Sequence, residues 1–259
     1  VGFGQQSDLP STKEGMEICY LNLARRADRD AAFLQFNSHL SNLRRIDAVD
    51  GNSLDLERLV REGIMAGPLP GFTQGALGNA LSHRMIWEQS IQCGAAVTIA
   101  EDDAVFNLHF EPKASRVLSL LPPDWDLIYW GWNFDSGIDV QILEGLRHSV
   151  MFFEKGNLGT DIGKFRNLDS EVIPLRLFGA FGTVAYSASA KGAEALLRNC
   201  FPLRHENIFA AALQKHVSSC SMDVTMSKYF PVLKAYICIP PLAWTENDKA
   251  ASDVRPEPG

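Results

Sequence analysis

The sequence predicts an α/β protein, with strands and helices alternating along the chain and forming one mostly parallel central sheet flanked by helices. Three observations carry this. Short apolar runs such as Ala95-Ala96-Val97-Thr98-Ile99-Ala100 have the composition of buried parallel strands. Longer stretches between them repeat their apolar residues at helical spacing. Three acidic residues, Glu101-Asp102-Asp103, stand directly after one such run, where open α/β sheets bind ligands.

Taken in order, Glu17-Ile18-Cys19-Tyr20-Leu21-Asn22-Leu23 reads as the first strand. Residues 25–43 read as a helix whose apolar face is Ala31, Phe33, Leu34, Phe36, Leu40 and Leu43. Arg45-Ile46-Asp47-Ala48-Val49 is a second strand, closed by the Asp50-Gly51 turn signal. A helix over 54–62 and a Gly- and Pro-rich loop over 63–75 follow. Residues 75–91 form a helix, with Leu77, Leu81 and Met85 at four-residue steps and Arg84 and Glu88 as an i,i+4 charge pair. After the strand before Glu101 comes a helix over 110–121, ended by Pro122-Pro123, and a strand over 126–132. Residues 133–176 have many Gly, Asp and Asn and no clear period. They read as a long irregular insertion of the kind that serves as a functional loop or lid. A strand over 182–187, a helix over 188–199, a short helical segment over 223–230 and a strand over 235–239 complete the pattern. One domain over 17–245 thus lies between an N-terminal tail, 1–16, and a Pro-rich, charged tail, 246–259.

Composition narrows the function. The formal charge is -7, with 31 acidic against 24 basic residues, which argues against a nucleic-acid binder with its basic stripe. The five cysteines are scattered and lack C-x-x-C spacing; Cys19, Cys93 and Cys238 sit in or beside apolar stretches and read as buried thiols. A reduced, cytoplasmic compartment fits that pattern. No segment is long and apolar enough to span a membrane, and the N-terminus carries no signal pattern. A peripheral membrane contact stays compatible with this.

Several residues have chemistry to offer. Acidic groups gathered at a strand end repel one another unless a cation joins them, and a hard divalent ion that bridges to substrate phosphates suits oxygen ligands. Side-chain alternation lets Glu101 and Asp103 face one site while Asp102 points away; the bland alternative is a solvated turn. Arg25, Arg26 and Arg29 cluster after the first strand. Guanidinium groups there can grip a phosphate, or simply pair with Asp28 and Asp30 on a solvated helix face. Ser82-His83 lies mid-helix, in a structural or a ligand-facing role. Asp223 stands where an N-cap is wanted, and a carboxylate there can also accept a proton from a sugar hydroxyl. The serine-hydrolase elbow, the P-loop, the H-E-x-x-H motif and the Gly-x-Gly-x-x-Gly turn are all missing from the sequence.

The order of these motifs resembles glycosyltransferase family 25, the lipopolysaccharide and lipooligosaccharide transferase group that includes collagen galactosyltransferases. The likeness rests on Leu21-Asn22-Leu23 with Arg25, Arg26 and Arg29, then Ala48-Val49-Asp50-Gly51, Gly78 with Leu81-Ser82-His83, and Glu101-Asp102-Asp103. Gly182 to Ser187, Lys191-Gly192-Ala193, Leu196-Leu197, Asp223 and Ser252-Asp253-Val254 continue it. Asn79 stands where the family often has Cys, Ala76-Leu77 replaces a Glu-Ile-like pair, and Met222 replaces a Val.

The resemblance implies a GT-A-like fold and metal-dependent, inverting transfer of a sugar, galactose above others, from a UDP-sugar to a saccharide or glycoconjugate acceptor such as lipopolysaccharide. It implies Mn²⁺ or Mg²⁺ on Asp102 and Asp103. Donor contacts would come from Asn22, Arg25, Arg26, Arg29, Asp50, Gly51, Ser82, His83 and Glu101, and the base would be Asp223. A cytoplasmic enzyme at the inner face of the membrane is the expected setting. A non-catalytic sugar-nucleotide or glycan-binding module and a metal-dependent phosphohydrolase are the competing classes.

Overall fold

A computed structural model describes residues 16–143, 145–154 and 158–246. Apart from Met16 and Glu246, both expected tails lie outside the described residues, as does Ser252-Asp253-Val254. The strands are β1 (Ile18–Asn22), β2 (Leu43–Asp47), β3 (Val97–Glu101), β4 (Val105–Phe106), β5 (Leu127–Gly131), β6 (Ile138–Leu143), β7 (Arg147–Met151), β8 (Ile173–Gly179), β9 (Ala185–Ala188), β10 (Asn207–Ala210), β11 (Lys215–Ser218), β12 (Ala235–Ile239) and β13 (Ala243–Trp244). The helices are α1 (Ala27–Phe36), α2 (Leu56–Arg61), α3 (Gln74–Cys93), α4 (Phe110–Leu120), α5 (Leu158–Arg166), α6 (Ala190–Cys200) and α7 (Met222–Ser227).

Nine strands form one sheet in the order β2-β1-β3-β9-β5-β12-β8-β6-β7. The expectation of a mostly parallel sheet is corrected here. Of the neighbouring pairs, β1–β2, β1–β3 and β5–β12 are parallel, and the other five are antiparallel. The reason is that β9 inserts antiparallel between β3 and β5, a pairing that apolar composition alone does not encode. Residues 133–176 are also not an irregular insertion. They supply β6, β7, α5 and the start of β8, which extend the sheet at one edge. Their period was faint because β7 is an edge strand with mostly exposed side chains.

Strand residues alternate between two apolar layers. Cys19, Leu21, Leu127, Tyr129 and Tyr186 pack with Leu77, Ile86 and Trp87 of α3 and Leu196 of α6. Ile18, Tyr20, Ile128 and Trp130 pack on the opposite face with Phe33 of α1 and Phe110, Ala114 and Val117 of α4. Local signals bound the helices. Thr73 caps α3, its hydroxyl accepting from the Ala76 amide at 3.0 Å, and Gly94 ends it at φ +62°. Ser189 caps α6 in the same way, at 2.9 Å from the Gly192 amide. The helix expected over 25–43 stops at Phe36, where the buried Asn37 side chain donates to the carbonyls of Phe33 and Ala104. Cys19, Cys200 and Cys238 are buried and Cys93 is exposed, correcting the buried reading of Cys93. It is the last residue of α3 and lies beyond the packed face. Among the described residues no helix is long and apolar enough to cross a membrane.

Candidate active site

β1, β3 and β5 run in the same direction. Their carboxyl ends therefore bring the Arg25 loop, Glu101-Asp102-Asp103 and Asn133 to one edge of the sheet. Because β9 runs the opposite way, the loop that leads into it, 180–184, arrives at the same edge. The first turns of α3 complete the group, and a helix N-terminus favours anions.

The turn after β2 is seated on α3 by close approach. A Cβ on Gly51 would lie 1.7 Å from the Gln74 carbonyl oxygen, and one on Gly78 would lie 2.4 Å from that of Val49. Only glycine allows both contacts. The Val49 amide donates to the Ser82 hydroxyl at 2.8 Å, and that hydroxyl donates to the Gly78 carbonyl at 2.7 Å. Asp50 projects from this turn, accepting from the Asn52 amide at 3.0 Å and pairing with Arg25 at 3.2 Å. Those two contacts hold its carboxyl below the ordinary carboxylate range.

Two cavities open here. The smaller, about 130 Å³, is lined by Arg25, Arg29, Asp50, Gly51, Gly75 and Ser82 among others. The larger, about 600 Å³, runs from Asn133 and Asp135 past Phe181 and Thr183 to β11 and Asp223. Asn79, Glu101 and Asp103 line both, so the two spaces meet at these residues.

The carboxylates at this junction have different settings. Glu101 accepts a very short hydrogen bond from the Thr183 hydroxyl. Burial pushes its carboxyl well up, and the negative charges of Asp103 and Asp223 add to that rise. Asp102 is gripped by Arg29 and accepts from the Asn22 side-chain amide at 2.8 Å. Burial raises its proton affinity against the pull of those partners. Asp103 is more open, its side chain 39% exposed, with Arg29 at 3.6 Å. Asp223 accepts from the Gly182 amide at 2.7 Å and from the Ser221 hydroxyl. The residue at the cap position of α7 is Ser221, so Asp223 is held across the cavity instead of capping its helix.

Among the described residues no three His, Cys, Asp or Glu side chains gather as a metal cage. Desolvation and the charges of Asp103 and Asp223 disfavour ionisation of Glu101, and a cation at this junction would offset that penalty. The donor set therefore fits an ion held by one or two carboxylates and completed by substrate phosphates and water, as Mg²⁺ is commonly held.

The sequence-predicted residues divide into two groups. Arg25, Arg29, Asp50, Gly51, Ser82, Glu101, Asp102 and Asp103 line the smaller cavity, and Asp223 lines the larger. Asn22 is wholly buried, its oxygen accepting from Arg45 at 3.1 and 3.2 Å while its amide holds Asp102. Arg26 pairs with Asp28 at 2.8 Å and lines a third cavity with Phe33 and Phe36, on another side of Arg29, Asp102 and Asp103, which line it too. His83 is buried under the sheet, with Nδ1 2.7 Å from the Tyr186 hydroxyl, and burial pushes its pKa down to about 3. Sequence reasoning missed Thr183, Ser221 and Asn79 as residues of this edge. The sequence pattern places Thr183 in a strand, whereas β9 begins at Ala185; the Gly182 before it is the one local signal of a sharp turn.

An α/β fold with carboxylates, arginines and a helix N-terminus around one cleft at a sheet's strand ends defines a class built to hold a charged small molecule. The chain belongs to glycosyltransferase family 25. The family profile described as "Glycosyltransferase family 25 (LPS biosynthesis protein)" matches residues 16–209. Relatives include a "Probable inactive glycosyltransferase 25 family member 3" of Bos taurus, 32% identical over 54% of this chain and 26% of that protein. A "Glycosyltransferase 25 family member" of Anopheles gambiae is 32% identical over 56% of this chain and 26% of the relative. A "Procollagen galactosyltransferase 1" of Danio rerio is 32% identical over 44% and 21%. The matched part of the chain thus spans about a quarter of the length of these relatives.

Proposed function

We propose that this chain is a metal-dependent, inverting glycosyltransferase of GT-A type that moves galactose from UDP-galactose to a saccharide or glycoconjugate acceptor such as lipopolysaccharide. The observation that carries the proposal is the meeting of two cavities at Glu101 and Asp103, with arginines on one side and Asp223 on the other. The smaller cavity suits the anionic end of the donor. Arg25, Arg29 and the first turn of α3 supply its counter-charge. Asp103, with Glu101 beside it, would hold Mn²⁺ or Mg²⁺. Such an ion supplies further counter-charge to a diphosphate. In the larger cavity Asp223 orients an acceptor hydroxyl and accepts its proton as the acceptor oxygen bonds to the sugar C1 and the bond from C1 to the phosphate oxygen breaks, UDP leaving with that electron pair. Phe181 and β11 wall that space. A lipid-linked acceptor would put the reaction at the inner face of the membrane, in the cytoplasm.

A second reading has one observation in its favour: relatives at 32–34% identity carry the word "inactive" in their names. Under it the chain binds a sugar nucleotide without turnover. Incubation with UDP-galactose and Mn²⁺ separates the readings, with deglycosylated procollagen or a truncated lipooligosaccharide as acceptor and released UDP as the measurement. Acceptor-dependent release supports the transferase. Saturable UDP binding without release supports the binding module, and acceptor-independent hydrolysis supports a phosphohydrolase.

A further inference from the structure

We propose that Thr183, together with the backbone amide of Gly182, is a positioning residue that fixes the gap between Glu101 and Asp223. The inference rests on the transferase reading above. Two consecutive residues reach in two directions. The Thr183 hydroxyl donates to Glu101 Oε1, at the junction of the cavities, and the Gly182 amide donates to Asp223 Oδ2 at 2.7 Å, on the acceptor side. Donor-side and acceptor-side carboxylates are thereby tied to one short piece of backbone, although they stand far apart in sequence.

That piece of backbone is itself fixed. The Asn133 amide donates to the Phe181 carbonyl at 2.9 Å, and the Glu101 amide donates to the Val184 carbonyl at 3.0 Å. Gly182 has φ +86°, and a Cβ on it would lie 2.4 Å from the Asn133 side chain. The loop is therefore anchored to the ends of β3 and β5 on either side of the two hydrogen bonds. The Thr183 side chain is almost fully buried, so water cannot readily replace its hydroxyl. Without that donor Glu101 Oε1 loses the hydrogen bond that ties it to the loop, and the side chain has reason to swing away from its present place. Displacement of a reacting array by about 1 Å costs on the order of 10²-fold in rate.

The test uses the whole chain with Thr183→Val, which keeps the shape and removes the hydroxyl, and Thr183→Ser, which keeps the hydroxyl. Initial rates are read with UDP-galactose, Mn²⁺ and the two acceptors named above, alongside UDP titration and melting temperature. Thr183→Val is expected to lower kcat by roughly 10-fold or more with donor KM within about 2-fold, and Thr183→Ser to recover most of that loss. Should Thr183→Val fail to fold, Thr183→Ala carries the same comparison. Parental kcat in the hydroxyl-free variant, or a loss that Ser does not recover, overturns the inference and leaves the transferase reading standing. No turnover by the parent with any acceptor overturns both.

Discussion

Arg29 and Asn22 close on Asp102 from two sides, the guanidinium on Oδ1 and the side-chain amide on Oδ2 at 2.8 Å. Asp102 is thus an internal strut of the acidic triplet, with its side chain only 11% exposed. Asp103, one residue on, is the carboxylate that faces open space. The alternation along Glu101-Asp102-Asp103 sends successive side chains to different duties.

Arg29 should therefore be needed twice and Arg25 once. Arg29→Ala leaves a half-satisfied buried carboxylate and is expected to cost on the order of 1–3 kcal/mol of stability, as well as weakening UDP binding. Arg25→Ala removes an exposed pair and should weaken UDP binding with an unchanged melting temperature. Thermal unfolding and UDP titration of the two variants check this; equal melting temperatures would contradict the strut.

The metal assignment predicts that EDTA weakens UDP binding by the parent and that Mn²⁺ restores it. Asp103→Ala should remove the Mn²⁺ effect without lowering the melting temperature, because an exposed charge among like charges is being deleted. Calorimetric titration of UDP with and without Mn²⁺ is the measurement. Parental UDP binding indifferent to EDTA would end the assignment.

Asp223→Asn should preserve the local architecture. Its remaining oxygen still accepts from the Gly182 amide, and its new amide can donate to the Ser221 hydroxyl, which turns to accept. Single-turnover transfer at saturating donor should fall by roughly 10²–10⁴-fold with UDP binding intact, the usual effect of losing a positioned base. Near-parental transfer would shift the role to Asp135, which lines the same cavity.

His83 predicts an acid sensitivity. Its folded-state pKa, pushed down to about 3 by burial, lies below the ordinary value, so the unfolded chain takes up a proton that the folded chain refuses. Stability is fully present above the ordinary pKa near 6.5 and is lost as pH falls below it. Between pH 7 and pH 5 the loss from this residue is about 2 kcal/mol. His83→Gln, weaker at neutral pH through loss of the Tyr186 contact, should lack that part of the acid slope. Identical slopes in urea titrations at the two pH values would count against it.

The sequence made legible what is local and periodic. Strand β12 matches its expected limits, and α3 is marked by four-residue steps and closed by its caps. Glu101-Asp102-Asp103 stood out because charge directly after a buried strand needs a reason. What stayed hidden depends on partners distant in sequence. Nothing in residues 185–188 announces that they enter between β3 and β5. Nothing in Thr183 announces a partner 82 residues away. His83 and Ser82 form part of the motif, yet one bonds Tyr186 and the other a turn. The motif alone does not separate holding a ligand from holding the loop beside it.

The place of β9 also dictates an order of assembly. During synthesis β1, β2 and β3 emerge early and can join, since their pairings need nothing beyond residue 101. β5 cannot: its two neighbours are β9 and β12, both made later. From residue 131 until residue 185 has emerged, a five-residue strand containing Leu127, Ile128, Tyr129 and Trp130 waits with both edges bare. In that interval the chain is most exposed to pairing with the wrong strand, its own or another molecule's.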